Sequence, residues 1–297
     1  MDVFRTPEER FDALTDFPYR PRYREWEGLR LAHVDAGEPS APPVVLLHGE
    51  PTWSYLWRRV MEPLLDAGYR CIAPDLPGFG RSDKPTDPGW YSYERHTEAV
   101  VDLFESLDLR DVTLVVHDWG GPIGLRTATL AVPERVSRIV AMDTGVFDGR
   151  QKMTETWLGF KAFVERATEL PVKRLIKAGC HTTPEEATLA AYEAPFPTEE
   201  SKAGARAFPA LIPLSPDEPG AEAGRRVKEA LAADRRPAFV LWGDSDGVLP
   251  LESAGRGLAR LLTGAEDLVP VRGAGHFLQE DAGERVGREI ARWLPEG

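Results

Sequence analysis

The sequence predicts an α/β fold in which a mostly parallel sheet is flanked by helices and interrupted once by a helical insertion. Three observations carry this expectation: short apolar runs that end in turn residues, helical apolar spacing between them, and one long stretch where that alternation stops. Taken in order, Tyr23 to Ala36 alternates around a Glu27-Gly28 turn and suits an antiparallel leading hairpin. Val44-Val45-Leu46-Leu47 is the first buried run, ending at His48-Gly49, and Arg70-Cys71-Ile72-Ala73 the next, ending at Pro74-Asp75. Val112 to Val116 runs into His117-Asp118, and Ile139 to Met142 runs into Asp143. Ala238 to Trp242 and Asp267 to Val271 close the series. Between the runs, Val100, Leu103, Phe104 and Leu107, and later Val286, Ile290, Trp293 and Leu294, show the spacing of one buried helix face. Strands alternating with helices wind a parallel sheet with right-handed crossovers.

From Val146 to Arg235 no buried strand pattern appears, only helical patterns and the Pro-rich segments Ala194-Pro195-Phe196-Pro197 and Pro213 to Pro219. The expected organisation is therefore a core built from residues 1–145 and 236–297, with 146–235 inserted as a helical cap after the sixth strand. Open α/β sheets place their ligand crevice at the carboxyl edge of the strands, below such an insertion.

Composition narrows the function classes. A chain of 297 residues can bury a large core. Its 36 Lys and Arg against 48 Asp and Glu give a net charge of −12, a field that repels phosphate backbones and anionic lipid. Neither nucleic acid nor a membrane is expected as a partner. Cys71 and Cys180 are the only cysteines, too few for a disulfide framework or a thiolate cluster, and no secretory signal or membrane-length apolar run is evident. A cytoplasmic location is expected. No HxxxH or CxxC pair occurs, so neither metal nor cofactor is expected.

The chemistry concentrates at strand ends. Val115-Val116-His117-Asp118-Trp119-Gly120-Gly121 passes from a strand into a helix beginning near Pro122, the layout of a nucleophile elbow with aspartate where hydrolases carry serine. An ionised carboxylate needs no activating base and can displace a leaving group from an sp³ carbon, which leaves an ester for water to cleave. An Asp there also serves as an ordinary helix cap. His276, in Gly275-His276-Phe277, lies between the last strand and the last helix, where it could activate that water. Asp246 and Asp143, each past a strand, are candidates to hold the imidazole tautomer. His48-Gly49-Glu50-Pro51 follows the first buried strand, so the Glu50 and Trp119 amides are the candidate oxyanion hole. Asp75 to Ser82 has no dinucleotide-loop context and reads as scaffold, as do His33, His96 and His181.

At these residues the chain resembles the haloalkane dehalogenases of the α/β-hydrolase superfamily over essentially its whole length. The resemblance rests on His48 to Leu56, Asp75 to Pro85, His117 to Gly121, Ala194 to Pro197 and Gly275 to Glu280. It implies that Asp118 displaces halide, that Trp119 donates its indole N–H to the departing ion, and that His276 activates water against the ester. Glu50 after His-Gly is similar to the branch whose acid follows the later strand, which favours Asp246. Asp143 falls where another branch carries its acid and where the nearest branch tends to have Asn. The implied substrate is a small neutral halogenated alkane and the product a halide ion.

A halide leaving into a dry pocket needs a second N–H donor to offset its lost hydration. In the resembled branch that donor is a cap tryptophan, whose usual place, counted back from Glu169-Leu170-Pro171-Val172, falls on Phe160. Trp157 lies one helical turn earlier, so the two aromatics stand exchanged. Trp157, Phe160 and Val164 are readable as an apolar stripe, or Trp157 as a relocated donor. An epoxide hydrolase would share the Asp/His machinery but needs cap tyrosines, of which Tyr192 is the only one; a serine esterase lacks its serine. A ligand-binding homologue without turnover is the third alternative.

Overall fold

In the computed structural model, which describes residues 1–295 except the side chain of Asp267, each buried run becomes a strand. Residues 296–297, the end of the second expected core segment, lie outside the described residues. In chain order the strands are β1 (Val3–Phe4), β2 (Pro21–Trp26), β3 (Leu29–Ala36), β4 (Pro43–Leu47), β5 (Arg70–Pro74), β6 (Lys84–Pro85), β7 (Val112–Asp118), β8 (Val136–Thr144), β9 (Ala238–Gly243) and β10 (Ala265–Val271). The α-helices are α1 (Arg58–Asp66), α2 (Tyr93–Ser106), α3 (Gly120–Arg126), α4 (Glu155–Arg166), α5 (Val172–Gly179), α6 (Glu186–Glu193), α7 (Ala203–Ala207), α8 (Ala221–Ala233), α9 (Arg256–Leu261) and α10 (Leu278–Trp293).

Eight strands form one sheet in the order β10-β9-β8-β7-β4-β5-β3-β2. The leading hairpin β2–β3 pairs antiparallel and β3 joins β5 antiparallel, whereas β5, β4, β7, β8, β9 and β10 run parallel. Central strands read as unbroken apolar runs because both of their faces are covered: Val44, Val45, Leu46 and Leu47 are fully buried, as are Leu114, Val115 and Val116. The chain leaves β4 for β5 on one side and returns to β7 on the other, so the order reverses between β4 and β7. That reversal opens a crevice at the carboxyl ends of the two strands.

The segment between β8 and β9, which follows the sixth strand of the large sheet, holds α4 to α8 and no strand. Helix starts follow local chemistry: the Ser92 and Thr154 hydroxyls accept the Arg95 and Trp157 N–H groups at the N-termini of α2 and α4. The small sheet pairing β1 with β6 has no counterpart in the sequence reading.

Candidate active site

Register brings the candidate residues to one edge. Leu47 pairs with Val116, Val116 with Ala141, and Met142 with Leu241, so the loops after β4, β7, β8 and β9 emerge side by side. Asp118 ends β7 with φ +47°, in the left-handed region that a non-glycine residue adopts only when its surroundings hold it there. Helix α3 begins at Gly120, two residues before the expected Pro122. Gly120 is required by approach rather than φ, since a Cβ there would collide with the Leu47 carbonyl. A Cβ at Gly49 would collide with the Asp118 carboxylate itself.

The two Asp118 oxygens face different partners. The Glu50 N–H donates to Oδ1 at 2.6 Å, and the nearby Trp119 N–H favours the charged form of the carboxylate. Oδ2 lies 3.4 Å from His276 Nε2. On the far side of the ring, Nδ1 donates to Asp246 Oδ2 at 2.9 Å, while Asp246 Oδ1 accepts the Val248 and Leu249 N–H groups at 2.7 and 3.0 Å. Burial pushes the His276 pKa down, but the Asp246 charge and Asp118 outweigh it and hold the imidazole well above its usual value. Burial likewise pushes both carboxylates up, and His276 outweighs it, so Asp118 and Asp246 titrate below their usual range. Two carboxylates flanking the ring, at 3.4 and 2.9 Å, favour its charged form.

Two further carboxyl groups are present. Glu50 is held well above its usual range by burial and by the Asp118 charge, and its Oε1 has no hydrogen-bond partner. Asp143 does not occupy the Nδ1 position; it sits behind Asp246, with the Gly243 N–H shared between its two oxygens at 3.2 and 3.1 Å.

Above Asp118 lies a small cavity of ≈ 20 Å³ whose walls include Trp119, Phe147, Trp157, Ile212 and Leu249. Trp157 is 5% exposed and turned into this cavity. Phe160 is half-buried and does not contribute to its wall, so the position counted back from Glu169 is not where an aromatic meets the cavity; it lies on the same side of α4 about 4.5 Å further along the axis. Among the described residues neither the Trp119 nor the Trp157 indole N–H donates to a protein acceptor. Tyr192 is not available to the cavity, because its hydroxyl donates to Glu280 Oε1.

Three supporting groups escaped the sequence reading. His117 Nε2 donates to the His276 carbonyl at 2.8 Å, and burial lowers the His117 pKa to about 4, so the ring is a neutral strut. Asp281 accepts the Gly275 N–H at 2.9 Å and the His181 N–H at 2.8 Å, tying the loop before His276 to the end of α5. Arg58 forks onto Glu280 at 2.5 and 2.9 Å, and with Tyr192 this buried group ties α6 to α1 and α10. Of these residues only His117 and Glu280 lie inside the motifs quoted above; Asp281, Arg58 and Tyr192 carry no local signal, since their partners in space are set by the fold.

A family model described as the α/β hydrolase fold matches residues 42–283. The chain is 42% identical over 299 residues to a haloalkane dehalogenase of Mycolicibacterium paratuberculosis, covering 99% of this chain and 98% of that protein. Among solved structures, the tetrameric haloalkane dehalogenase DpaA from Paraglaciecola agarilytica superposes with a TM-score of 0.92 at 37% identity, covering 97% of each chain. DbeA, a haloalkane dehalogenase from Bradyrhizobium elkani, does so with a TM-score of 0.81 at 28% identity, covering 92% of this chain and 97% of that one.

Proposed function

The chain belongs to the haloalkane dehalogenase family of α/β hydrolases, and from that membership we propose that it hydrolyses carbon–halogen bonds through an ester on Asp118. The observation that carries the mechanism is the two-sided Asp118 carboxylate, with Oδ1 on the Glu50 amide and Oδ2 toward His276 at 3.4 Å, under a cavity bearing two free indole N–H groups. Oδ2 attacks the carbon and halide departs toward Trp119 and Trp157. The halide carries a full charge in an apolar cavity, and two N–H donors replace part of its hydration. Oδ1 becomes the ester carbonyl oxygen, already held by the Glu50 amide.

Alkylation also prepares the second step. Ester formation removes the Asp118 charge, one of the two that keep His276 protonated, so the imidazolium more readily gives its proton to solvent, where it balances the departing halide. Neutral His276 then takes a proton from water as the water oxygen attacks Cγ. Collapse of the tetrahedral species releases the alcohol and restores the carboxylate–imidazolium pair. Asp246 keeps the Nδ1–H tautomer throughout.

Residues 146–235 serve in this reading as the cap that closes the site, over a core of 1–145 and 236–297. The cavity above Asp118 is small and walled mostly by apolar side chains, which supports small apolar haloalkanes as substrates. Two unpaired thiols, at Cys71 and Cys180, support a reducing compartment such as the cytoplasm. The epoxide-hydrolase alternative is disfavoured because Tyr192 is bound to Glu280, and the contacts of Asp118 with the Glu50 amide and of His276 with Asp246 favour turnover over a non-catalytic homologue. The test is bromide release from 1,2-dibromoethane and 1-bromobutane beside a styrene oxide assay. Bromide release that disappears in Asp118→Ala is expected; diol formation from styrene oxide without bromide release refutes the reading.

A further inference from the structure

Behind the Asp246–His276 pair sits a carboxyl group that this mechanism does not use. Asp143 is fully buried at the end of β8, with Asp246 and His276 each 5% exposed. One oxygen of Asp143, one of Asp246 and a ring nitrogen of His276 all lie within 4.8 Å of one another. Two carboxylates this close in a dry interior cannot both ionise.

Counting donors decides which of them keeps the proton. Asp246 receives three: the Val248 and Leu249 amides on Oδ1 and the imidazole Nδ1–H on Oδ2. Asp143 receives one, the Gly243 N–H, shared between its oxygens at 3.2 and 3.1 Å. Each donor stabilises the charged form, so the charge settles on Asp246. A protonated Asp143 has an O–H to give, and Asp246, with an oxygen within 4.8 Å, is the neighbouring carboxylate to accept it.

We propose that Asp143 is a positioning residue, kept protonated, whose O–H donates to Asp246 and so fixes the carboxylate that holds His276. This rests on the reading of His276 as base and Asp246 as its acid. Burial and the Asp246 charge push the Asp143 carboxyl well above its usual range, in agreement with that assignment. The charged and titratable groups around it are Asp246 on the loop after β9 and His276 on the loop after β10, with Asp118 and His117 beyond the imidazole. An O–H donated to Asp246 withdraws charge from the carboxylate, which lowers the proton affinity of His276 and releases the base at lower pH.

Asn at position 143 keeps an N–H donor, whereas Leu keeps the volume and removes it. In Asp143→Leu, turnover of 1-bromobutane should fall by about tenfold or more, the worth of one charge-assisted hydrogen bond. The acid limb of its kcat profile should move to higher pH by roughly one unit. Asp143→Asn should recover most of the lost turnover and return the limb to its wild-type position. Wild-type protein at neutral pH should also show the infrared C=O stretch of a protonated carboxyl group that Asp143→Asn abolishes. An unmoved limb in Asp143→Leu, or the absence of that band, overturns the proposal even if Asp246→Asn is crippled as the wider reading requires. Should Asp143→Asn be crippled while Asp246→Asn is not, the acid itself is misassigned and both fail.

Discussion

Trp157→Phe isolates the second halide donor, because the substitution removes one N–H and little else. The backbone N–H of Trp157 remains on the Thr154 hydroxyl, so the start of α4 is preserved, and a phenyl ring still covers most of the apolar wall. A hydrogen bond to a full charge with no competing water contributes about 1.5–3 kcal/mol. Halide charge develops in the transition state, so this much of the barrier reduction is lost, a decrease of about one to two powers of ten in carbon–bromine cleavage. Bromide affinity, read from halide-dependent tryptophan quenching, should weaken in parallel, since the same bond holds the product. Trp119 still donates, so activity is reduced rather than abolished. Phe160→Trp should gain nothing, because that position stands off the cavity wall. Unchanged bromide release and unchanged bromide affinity in a folded Trp157→Phe would refute the argument, and a faster Phe160→Trp would return the donor to the position the resemblance implies.

Two further outcomes follow from the division of labour between Asp118 and His276. His276→Phe should slow the displacement without preventing it and should block hydrolysis, so mass spectrometry after prolonged incubation with 1,2-dibromoethane should find the alkyl adduct on Asp118; persistence of the unmodified mass counts against the mechanism. The pH profiles of kcat and kcat/KM should differ at their acid ends. Displacement needs only the Asp118 anion, whose pKa is depressed, so kcat/KM persists as pH falls, whereas hydrolysis needs neutral His276 and kcat declines first. Coincident limbs measured with 1-bromobutane would show that one protonation controls both steps.

The sheet was legible because each central strand is an apolar run covered on both faces, and the hairpin because β2 and β3 alternate around a glycine turn. A two-residue strand such as Val3–Phe4 carries no period, and its pairing with Lys84–Pro85 could not be anticipated. Asp118 was legible from its strand-to-glycine context. The choice between Asp143 and Asp246 was not, since both follow strand ends, and only the adjacency of β8 and β9 brings both carboxyl groups to the same imidazole. Trp157 and Phe160 lie three residues apart on one helix. Which of them reaches the cavity depends on the placement of α4 along the core, and apolar spacing does not fix that. The buried Arg58–Glu280–Tyr192 group joins residues 222 and 88 positions apart and leaves no local pattern.

Four carboxyl groups crowd a site whose product is an anion, and their protonation states explain how this is compatible with the chemistry. A full negative charge about 6 Å from a departing halide opposes it by roughly 3 kcal/mol at an effective dielectric of about 20, enough to slow cleavage about a hundredfold. Glu50 and Asp143 avoid this by being buried beside carboxylates that are better supplied with donors, so each remains a neutral acid. Asp118 and Asp246 are charged, but His276 lies between them and neutralises one of the two. When Asp118 is consumed in forming the ester, the remaining Asp246–imidazolium pair is neutral, and the halide leaves a site whose field no longer repels it. Replacing either neutral acid by a group unable to keep its proton would undo this balance without touching a reacting atom.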